Sequence, residues 1–201
     1  MARLEQEQQR LTDQTGRLLA RYWPECVPAP QQVAMERVLA RLPWRQPEVT
    51  VFGRRHPIPR RQCYLALPGC EYRYSGTLLT PEPLPREVAD LMQWLNRQSQ
   101  AGFNSVLANT YRDGGERMGW HRDNEPELGP SPPLAIVSFG ARRRLRLRWT
   151  PKDSQAIELA PGSVLWLAPG VWHCLPASRR AQAPRTSLTF RRVIPGFYRS
   201  R

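Results

Sequence analysis

The sequence predicts a mainly β protein, a sandwich or barrel with a few flanking helices, and three observations carry that prediction. From Glu48 onward, short apolar runs bounded by glycine and proline recur at close spacing, the texture of an all-β domain. Some of these runs alternate strictly: in RTSLTFR, Arg185, Ser187, Thr189 and Arg191 fall on one face of a strand, and Thr186, Leu188 and Phe190 on the other. Helical texture is confined to a few segments outside those runs.

In chain order, residues 1–23 are polar and read as helical. Pro24, Pro28 and Pro30 then lead to a second helix near Gln31 to Leu42. Residues 1–45 are therefore expected to form an N-terminal helical segment. Residues 46–80 follow as the strands VTVFG, QCYLAL and CEYRYSGTLL, separated by the stiff, basic loop RRHPIPRR. Residues 81–201 open with the helix PREVADLMQWLN, where Val88, Leu91, Met92 and Leu95 recur at helical spacing. The remainder supplies the strands FNSVLANTY, LAIVSFG, RRLRLRW, AIELA, SVLWLA and RTSLTFRRV. A chain of 201 residues carries one compact domain of this kind, without room for a second full one.

Thirty Lys and Arg against 17 Asp and Glu give a formal net charge of +13, and Lys152 is the sole lysine. Such a field favours a polyanionic partner, and the planar arginine fork suits phosphate or carboxylate. Cys26, Cys63, Cys70 and Cys174 form no paired CxxC spacing, and MARLEQEQQR lacks the apolar core of a signal peptide. A reduced, intracellular, monomeric protein without a membrane span is expected.

The chemistry sits in GWHRDN and GVWHCLP. His121 and Asp123 lie two residues apart, so on a strand they point the same way, and His173 must arrive from another strand. Two imidazoles and a carboxylate occupy one face of an octahedral Fe(II) and leave open positions, the mark of catalysis. An HxD pair alone matches by chance. The weight comes from its company: Arg185 and Arg191 share a polar strand face, where buried cations need an anion such as a small dicarboxylate. Asn109 and Tyr111 share a face of their own strand.

NTY, HRD, the distal histidine and RTSLTFR, in this order, resemble the AlkB family of Fe(II)- and 2-oxoglutarate-dependent nucleic-acid dealkylation dioxygenases. The resemblance covers about residues 48–195. NTYRDGGERMGWHRDNEPELGP with SPPLAIVSFGARR is most similar to the branch that repairs duplex DNA in mammals. The resemblance implies a double-stranded β-helix (jelly-roll) core with a nucleotide-recognition lid. His121, Asp123 and His173 would be the iron ligands and catalytic centre. Asn109, Tyr111, Arg185, Thr189 and Arg191 would bind 2-oxoglutarate, Arg185 at the distal carboxylate and Arg191 near the carboxylate beside the iron. With O2 as second cosubstrate, the implied reaction hydroxylates the N-methyl groups of 1-methyladenine and 3-methylcytosine, releasing formaldehyde, succinate and CO2.

A stacked base cannot reach the metal, so the implied substrate is flipped out of double- or single-stranded DNA. Within EYRYSG, Tyr74 would stack on that base opposite His121 and Tyr72 would hydrogen-bond it. Glu125 would lie near its exocyclic amine, while Asn124 stands where the branch often has an acid. VFGRRHPIPRRQ resembles the branch's finger loop, with Phe52 as the wedge filling the gap left by flipping. Arg54, Arg55, Arg60 and Arg61 would meet phosphates or the orphaned partner base. The row Arg142, Arg144, Arg146 and Arg148 is either a second phosphate track or a solvated sheet face. Because metal motifs do not define the substrate, an RNA or protein demethylase of the same class and a catalytically inactive lesion-binding module stand as alternatives. The compartment implied is the cytoplasm, at the nucleoid in a bacterium, or the nucleus in a eukaryote.

Overall fold

In a computed structural model of the chain, the structure describes residues 9–51, 53–74, 76–178 and 183–199, with Val51 and Tyr74 by their backbone only. Two antiparallel sheets face one another. The larger has seven strands: β1 (Gln9–Thr12) and β2 (Leu18–Trp23), then β13 (Val164–Leu167), β10 (Leu134–Gly140), β15 (Arg185–Arg191), β8 (Ser105–Tyr111) and β5 (Arg61–Ala66) in spatial order. The smaller runs β12 (Ser154–Leu159), β11 (Arg143–Arg148), β14 (Trp172–Leu175) and β9 (Met118–His121). Two separate hairpins, β3 (Glu48–Val51) with β4 (Arg54–Pro57) and β6 (Tyr72–Tyr74) with β7 (Thr77–Leu79), complete the β structure. This is the jelly-roll core that the sequence leads one to expect.

Period-2 alternation sorts the residues of the large sheet into two cores. Val106 and Ala108 of β8, Ala135 and Val137 of β10, and Leu188 and Phe190 of β15 face outward. They pack under α1 (Ala29–Leu39) and α2 (Arg86–Ser99). The amphipathic spacing of α2 buries Val88, Leu91, Met92 and Leu95 there, as predicted. The opposite face meets the small sheet, where Leu134, Ile136 and Leu165 pack against Leu145, Leu147, Ile157 and Leu175. One end of this inner layer is polar, and the site lies there.

Residues 9–23 form the β1–β2 hairpin, not the expected helix. The turn between them is fixed locally: Asp13 Oδ1 accepts hydrogen bonds from the backbone N–H of Thr15 and Arg17, both at 2.9 Å, and Gly16 takes φ +84°. β2 then pairs with β13, with Tyr22 opposite Leu165, burying Leu19, Ala20 and Tyr22. The strand is chosen by a sheet edge roughly 140 residues away, a partner that local propensity does not register. The expected division of the chain changes with it. Residues 9–23 and β5 both belong to the core sheet, so the core extends well before residue 81, and of the strands between Glu48 and Leu79 only the two hairpins stand apart from it. The second helix spans Ala29–Leu39, starting and ending slightly ahead of the predicted Gln31–Leu42, with Pro30 in its first turn.

One glycine is demanded by packing. Gly140 ends β10 at φ +75°, and a Cβ there would overlap the backbone carbonyl of Pro184. That close approach sets the position of β10 against the start of β15, opposite Arg185.

Candidate active site

β9 and β14 are neighbours in the small sheet with His121 opposite His173, so both imidazoles project inward, their centroids 4.1 Å apart. β9 stops at His121, and Asp123 follows just beyond the strand yet turns to the same place. One ligand atom from each of the three residues lies within 4.8 Å of the others.

Hydrogen bonds around these side chains assign their free atoms. His121 Nδ1 meets Gly119 O at 2.9 Å and His173 Nδ1 meets Val171 O at 3.2 Å. A carbonyl only accepts, so each Nδ1 carries the proton and each Nε2 keeps its lone pair for a metal. Burial lowers both histidines below the usual range, His173 to about 3 with His121 adding to the effect, so both are neutral near pH 7. Asp123 Oδ1 accepts from Arg191 Nε at 2.8 Å and Nη2 at 2.6 Å. Its Oδ2 has no hydrogen-bond partner and stands 3.6 Å from His173 Nε2. Burial pushes the Asp123 carboxyl up, and Arg191 together with the two histidines beside it more than compensates, leaving it at about 2. Two imidazole lone pairs and one carboxylate oxygen converge without partners of their own, which fits a facially bound Fe(II).

Next to this triad the cavity between the sheets is lined by Asn109, Tyr111, Arg185, Ser187 and Thr189, the polar face predicted from RTSLTFR and NTY. Their register is fixed by β15 pairing with β8, which sets Ser187 opposite Asn109 and Arg185 opposite Tyr111. The two arginines differ in their partners. Arg191 is committed to Asp123, with Nη1 reaching Thr189 O at 3.4 Å. Arg185 Nη2 donates to Ser138 Oγ at 3.0 Å, its Nε has no partner, and no carboxylate among the described residues pairs with it. Burial draws its pKa down to about 10, still a cation near neutrality. A fully buried cation lacking a counterion calls for an anionic ligand. Arg185 thus fits one carboxylate of 2-oxoglutarate.

The residues expected to meet the nucleic acid separate into four groups. Tyr72 is fully buried, with its ring 5.3 Å from the Arg191 guanidinium, and its hydroxyl adjoins Glu125. Burial pushes the Glu125 carboxyl up, with Asp123 adding to the shift. Arg54, Arg55 and Arg61 are exposed as expected, the first two on the β3–β4 hairpin, where Arg55 pairs with Glu48 at 3.2 Å. Phe52 and the Tyr74 side chain lie outside the described residues. Arg60 departs from expectation: only 6% exposed, it turns inward and its Nε donates to Asn109 Oδ1 at 3.1 Å. It is not presented to solvent as a phosphate contact would be.

Of the basic row on β11, Arg144 and Arg146 are exposed and Arg148 is half-buried, lying on the outer face of the small sheet behind the histidines. Arg146 and Arg148 flank Trp120 at 5.8 and 3.9 Å, and Arg144 pairs with Glu158.

Two structural residues escape a reading of the sequence for ligands. Arg143, buried on the inward face of β11 with Leu145 and Leu147, donates to the carbonyls of Asp113, Glu116 and Pro176 at 2.9 Å each. It clamps the loop that joins Tyr111 to His121. The alternation of RRRLRLR places it on the apolar face, a signal available in the sequence. Glu127, fully buried, accepts from the Arg73 backbone N–H at 2.6 Å and ties the β6–β7 hairpin to the 3-10 turn at Pro126–Leu128. Nothing in the sequence distinguishes Glu127 from the acids around it.

The profile of the 2OG-Fe(II) oxygenase superfamily matches residues 19–191. The chain is 38% identical over 163 residues to the mouse DNA oxidative demethylase ALKBH2, covering 74% of this chain and 67% of that protein. The human counterpart is 36% identical over 161 residues, covering 73% and 61%. The mouse alpha-ketoglutarate-dependent dioxygenase alkB homolog 3 is 32% identical over 178 residues, covering 80% and 61%. The chain spans about three fifths to two thirds of the length of these curated relatives. Among solved structures, OsALKBH1 aligns with TM-score 0.61 at 16% identity, covering 90% of this chain and all of that one. A Pseudomonas putida prolyl-4-hydroxylase aligns at 0.56 and 14%, covering 86% and 92%; both likenesses speak for the fold. With that fold, His121, Asp123 and His173 brought together and a buried arginine beside them that meets no carboxylate among the described residues, the chain belongs to the AlkB family of the 2OG-Fe(II) oxygenase superfamily, whose members use Fe(II), 2-oxoglutarate and O2.

Proposed function

We propose that this chain is a DNA oxidative demethylase that removes N-methyl groups from 1-methyladenine and 3-methylcytosine. The observation that carries the reading is the metal-ready triad, whose two histidines line one cavity with Arg185, a buried cation that meets no carboxylate among the described residues. The similarity to the ALKBH2 demethylases of mouse and human supports DNA as the substrate. A single chain carries all three ligands and both arginines, so a monomer suffices. The formal charge of +13 suits work on a polyanion at the nucleoid or in the nucleus.

The residues divide the work. His121, Asp123 and His173 would hold Fe(II), with Arg191 orienting the carboxylate so that Oδ2 faces the metal. Arg185 would take the distal carboxylate of 2-oxoglutarate, with Asn109, Tyr111 and Thr189 lining its length. When bound, this group supplies the oxidation: O2 and 2-oxoglutarate give succinate and CO2, and one oxygen atom enters a methyl C–H bond of the base. Tyr72 and Glu125 would receive the flipped base, the carboxylate complementing the positive charge of the methylated ring. The hydroxymethylated base then loses formaldehyde, the N–C bond electrons returning to the ring nitrogen as the hydroxyl proton leaves. Leu145, Ile136 and Leu175 close the cavity against bulk water. Arg54, Arg55 and Arg61 on and beside the β3–β4 hairpin would hold the strand backbone.

The test is a panel of methylated single-stranded DNA, duplex DNA and RNA incubated with Fe(II) and 2-oxoglutarate, reading formaldehyde and base composition. Formaldehyde from methylated DNA is expected. Turnover on RNA alone, or 2-oxoglutarate binding without any demethylation, would overturn the DNA assignment.

A further inference from the structure

We infer that Arg60 is a positioning residue of the cosubstrate site, acting through Asn109, and not a contact for nucleic-acid phosphate. The inference rests on reading the cavity between the sheets as the 2-oxoglutarate site.

Arg60 leaves the chain where the β3–β4 hairpin returns to β5, and the backbone there is pinned on both sides. Ile58 N–H donates to Pro47 O, Arg60 N–H to Ile58 O, and Arg117 N–H to Pro59 O, at 2.8 to 2.9 Å. The two consecutive arginines consequently diverge. Arg61 is exposed while Arg60 is buried against Asn109, itself 3% exposed.

The chemistry of the pair assigns a direction. A guanidinium only donates, whereas a carboxamide has one accepting and one donating end. Arg60 Nε at 3.1 Å from Asn109 Oδ1 therefore fixes the amide oxygen toward the hairpin side and the Nδ2 group away from it. Asn109 lines the cavity beside Ser187, its cross-strand partner, and Arg185. The amide accordingly offers N–H donors to a bound carboxylate. Without Arg60 the carboxamide is free to reverse and set its oxygen against the anion. Arg60 also adds positive potential at Tyr111 and His121. It connects the hairpin expected to meet DNA with the pocket expected to hold the cosubstrate.

The experiment compares this chain as wild type, Arg60→Ala, Arg61→Ala, Asn109→Ala and the Arg60→Ala/Asn109→Ala double variant. The affinity of 2-oxoglutarate is measured by calorimetry in the presence of Mn(II) and without nucleic acid. The affinity for methylated duplex is measured separately across a salt series. Arg60→Ala is expected to weaken 2-oxoglutarate about tenfold, the scale of one charge-assisted hydrogen bond, with duplex affinity within about twofold of wild type. In the Asn109→Ala background the same substitution should add little, because its effect runs through that amide. Arg61→Ala should show the reverse pattern, a shallower salt slope with 2-oxoglutarate affinity unchanged. Unchanged 2-oxoglutarate affinity with weakened duplex binding in Arg60→Ala overturns the inference. So does a loss that is additive with Asn109→Ala, which would indicate general destabilisation. A wild-type chain that binds 2-oxoglutarate but repairs no DNA refutes the proposed substrate and leaves this inference standing. One that binds no 2-oxoglutarate refutes both.

Discussion

Arg191 grips one oxygen of Asp123 through both Nε and Nη2, and the other oxygen of the same carboxylate faces His173 without a hydrogen-bond partner. The ion pair thereby makes the two oxygens of the carboxylate unequal and leaves one defined atom, Oδ2, that could serve a metal. Both residues are almost fully buried, at 5% and 2% exposure, so the pair has a structural part to play beside the role proposed for it at the metal.

Asp123→Ala should therefore cost stability in addition to abolishing activity. It strands the Arg191 cation, a loss of about 3–5 kcal/mol for breaking a buried pair from one side. Arg191→Met should destabilise the metal-free protein similarly and weaken the metal by about 10–100-fold. Urea unfolding of the metal-free variants and Co(II) titration check the two effects; an unchanged unfolding midpoint in Asp123→Ala would contradict the structural half.

Arg185→Met should separate function from stability. The native side chain is a buried cation with no carboxylate partner among the described residues, and in the proposed site its counterion would be the cosubstrate, so an apolar replacement of similar length should leave the metal-free, cosubstrate-free protein at least as stable. The variant should lose the rise in Tm that 2-oxoglutarate gives the wild type with Mn(II) present. A retained rise would place the anion elsewhere.

Acid should destabilise the metal-free protein in two windows. His173 is held at about 3 against an ordinary 6.5, so between these values the unfolded chain binds the proton that the folded chain refuses. Its contribution is complete above pH 6.5 and is lost as pH falls toward 3. Asp123, at about 2 against 3.8, contributes stability that is lost as pH falls from 3.8 through 2. Thermal melts from about pH 8 to about pH 4 should show a falling Tm, and His173→Gln should flatten that fall.

Gly140→Ala should loosen the anchor without touching it. The left-handed backbone and the overlap with the Pro184 carbonyl force β10 and the start of β15 apart. A loss of about 2 kcal/mol is expected, together with weaker 2-oxoglutarate binding through displaced Arg185. Equilibrium unfolding and calorimetry read the two consequences.

Arg54→Gln and Arg55→Gln should make duplex binding less salt-dependent. Each arginine that neutralises a phosphate contributes about 0.9 to the slope of log K against log salt, and its replacement removes that share. A slope identical to wild type in the double variant would remove the hairpin from the DNA interface.

The site is more legible in the sequence than the boundaries of the fold. Strand alternation is a property of the backbone, so RTSLTFR and NTY announce which side chains share a face before any sheet is known. The same rule exposes Arg143, whose inward direction follows from its place in RRRLRLR. Residues 9–23 mislead because their strand character comes from β13, distant in sequence. Arg60 misleads for a related reason: RRHPIPRR displays its arginines as equals, and only the pinned turn at Ile58–Arg60 separates the inward one from the exposed one.

What the sequence determined by itself is what chain-local geometry and chemistry can specify: the convergence of the HxD pair, the polar face of β15, the helical stripe of α2 and the basic hairpin. The tertiary structure alone decided which edge recruits β1 and β2, that Arg191 serves Asp123 while Arg185 is left for an anion, and that Arg60 reaches Asn109. Those outcomes depend on which charges are buried together and which donors meet which acceptors across sheets. Burial and pairing belong to the assembled fold, because desolvation makes a partner obligatory only once water has been excluded.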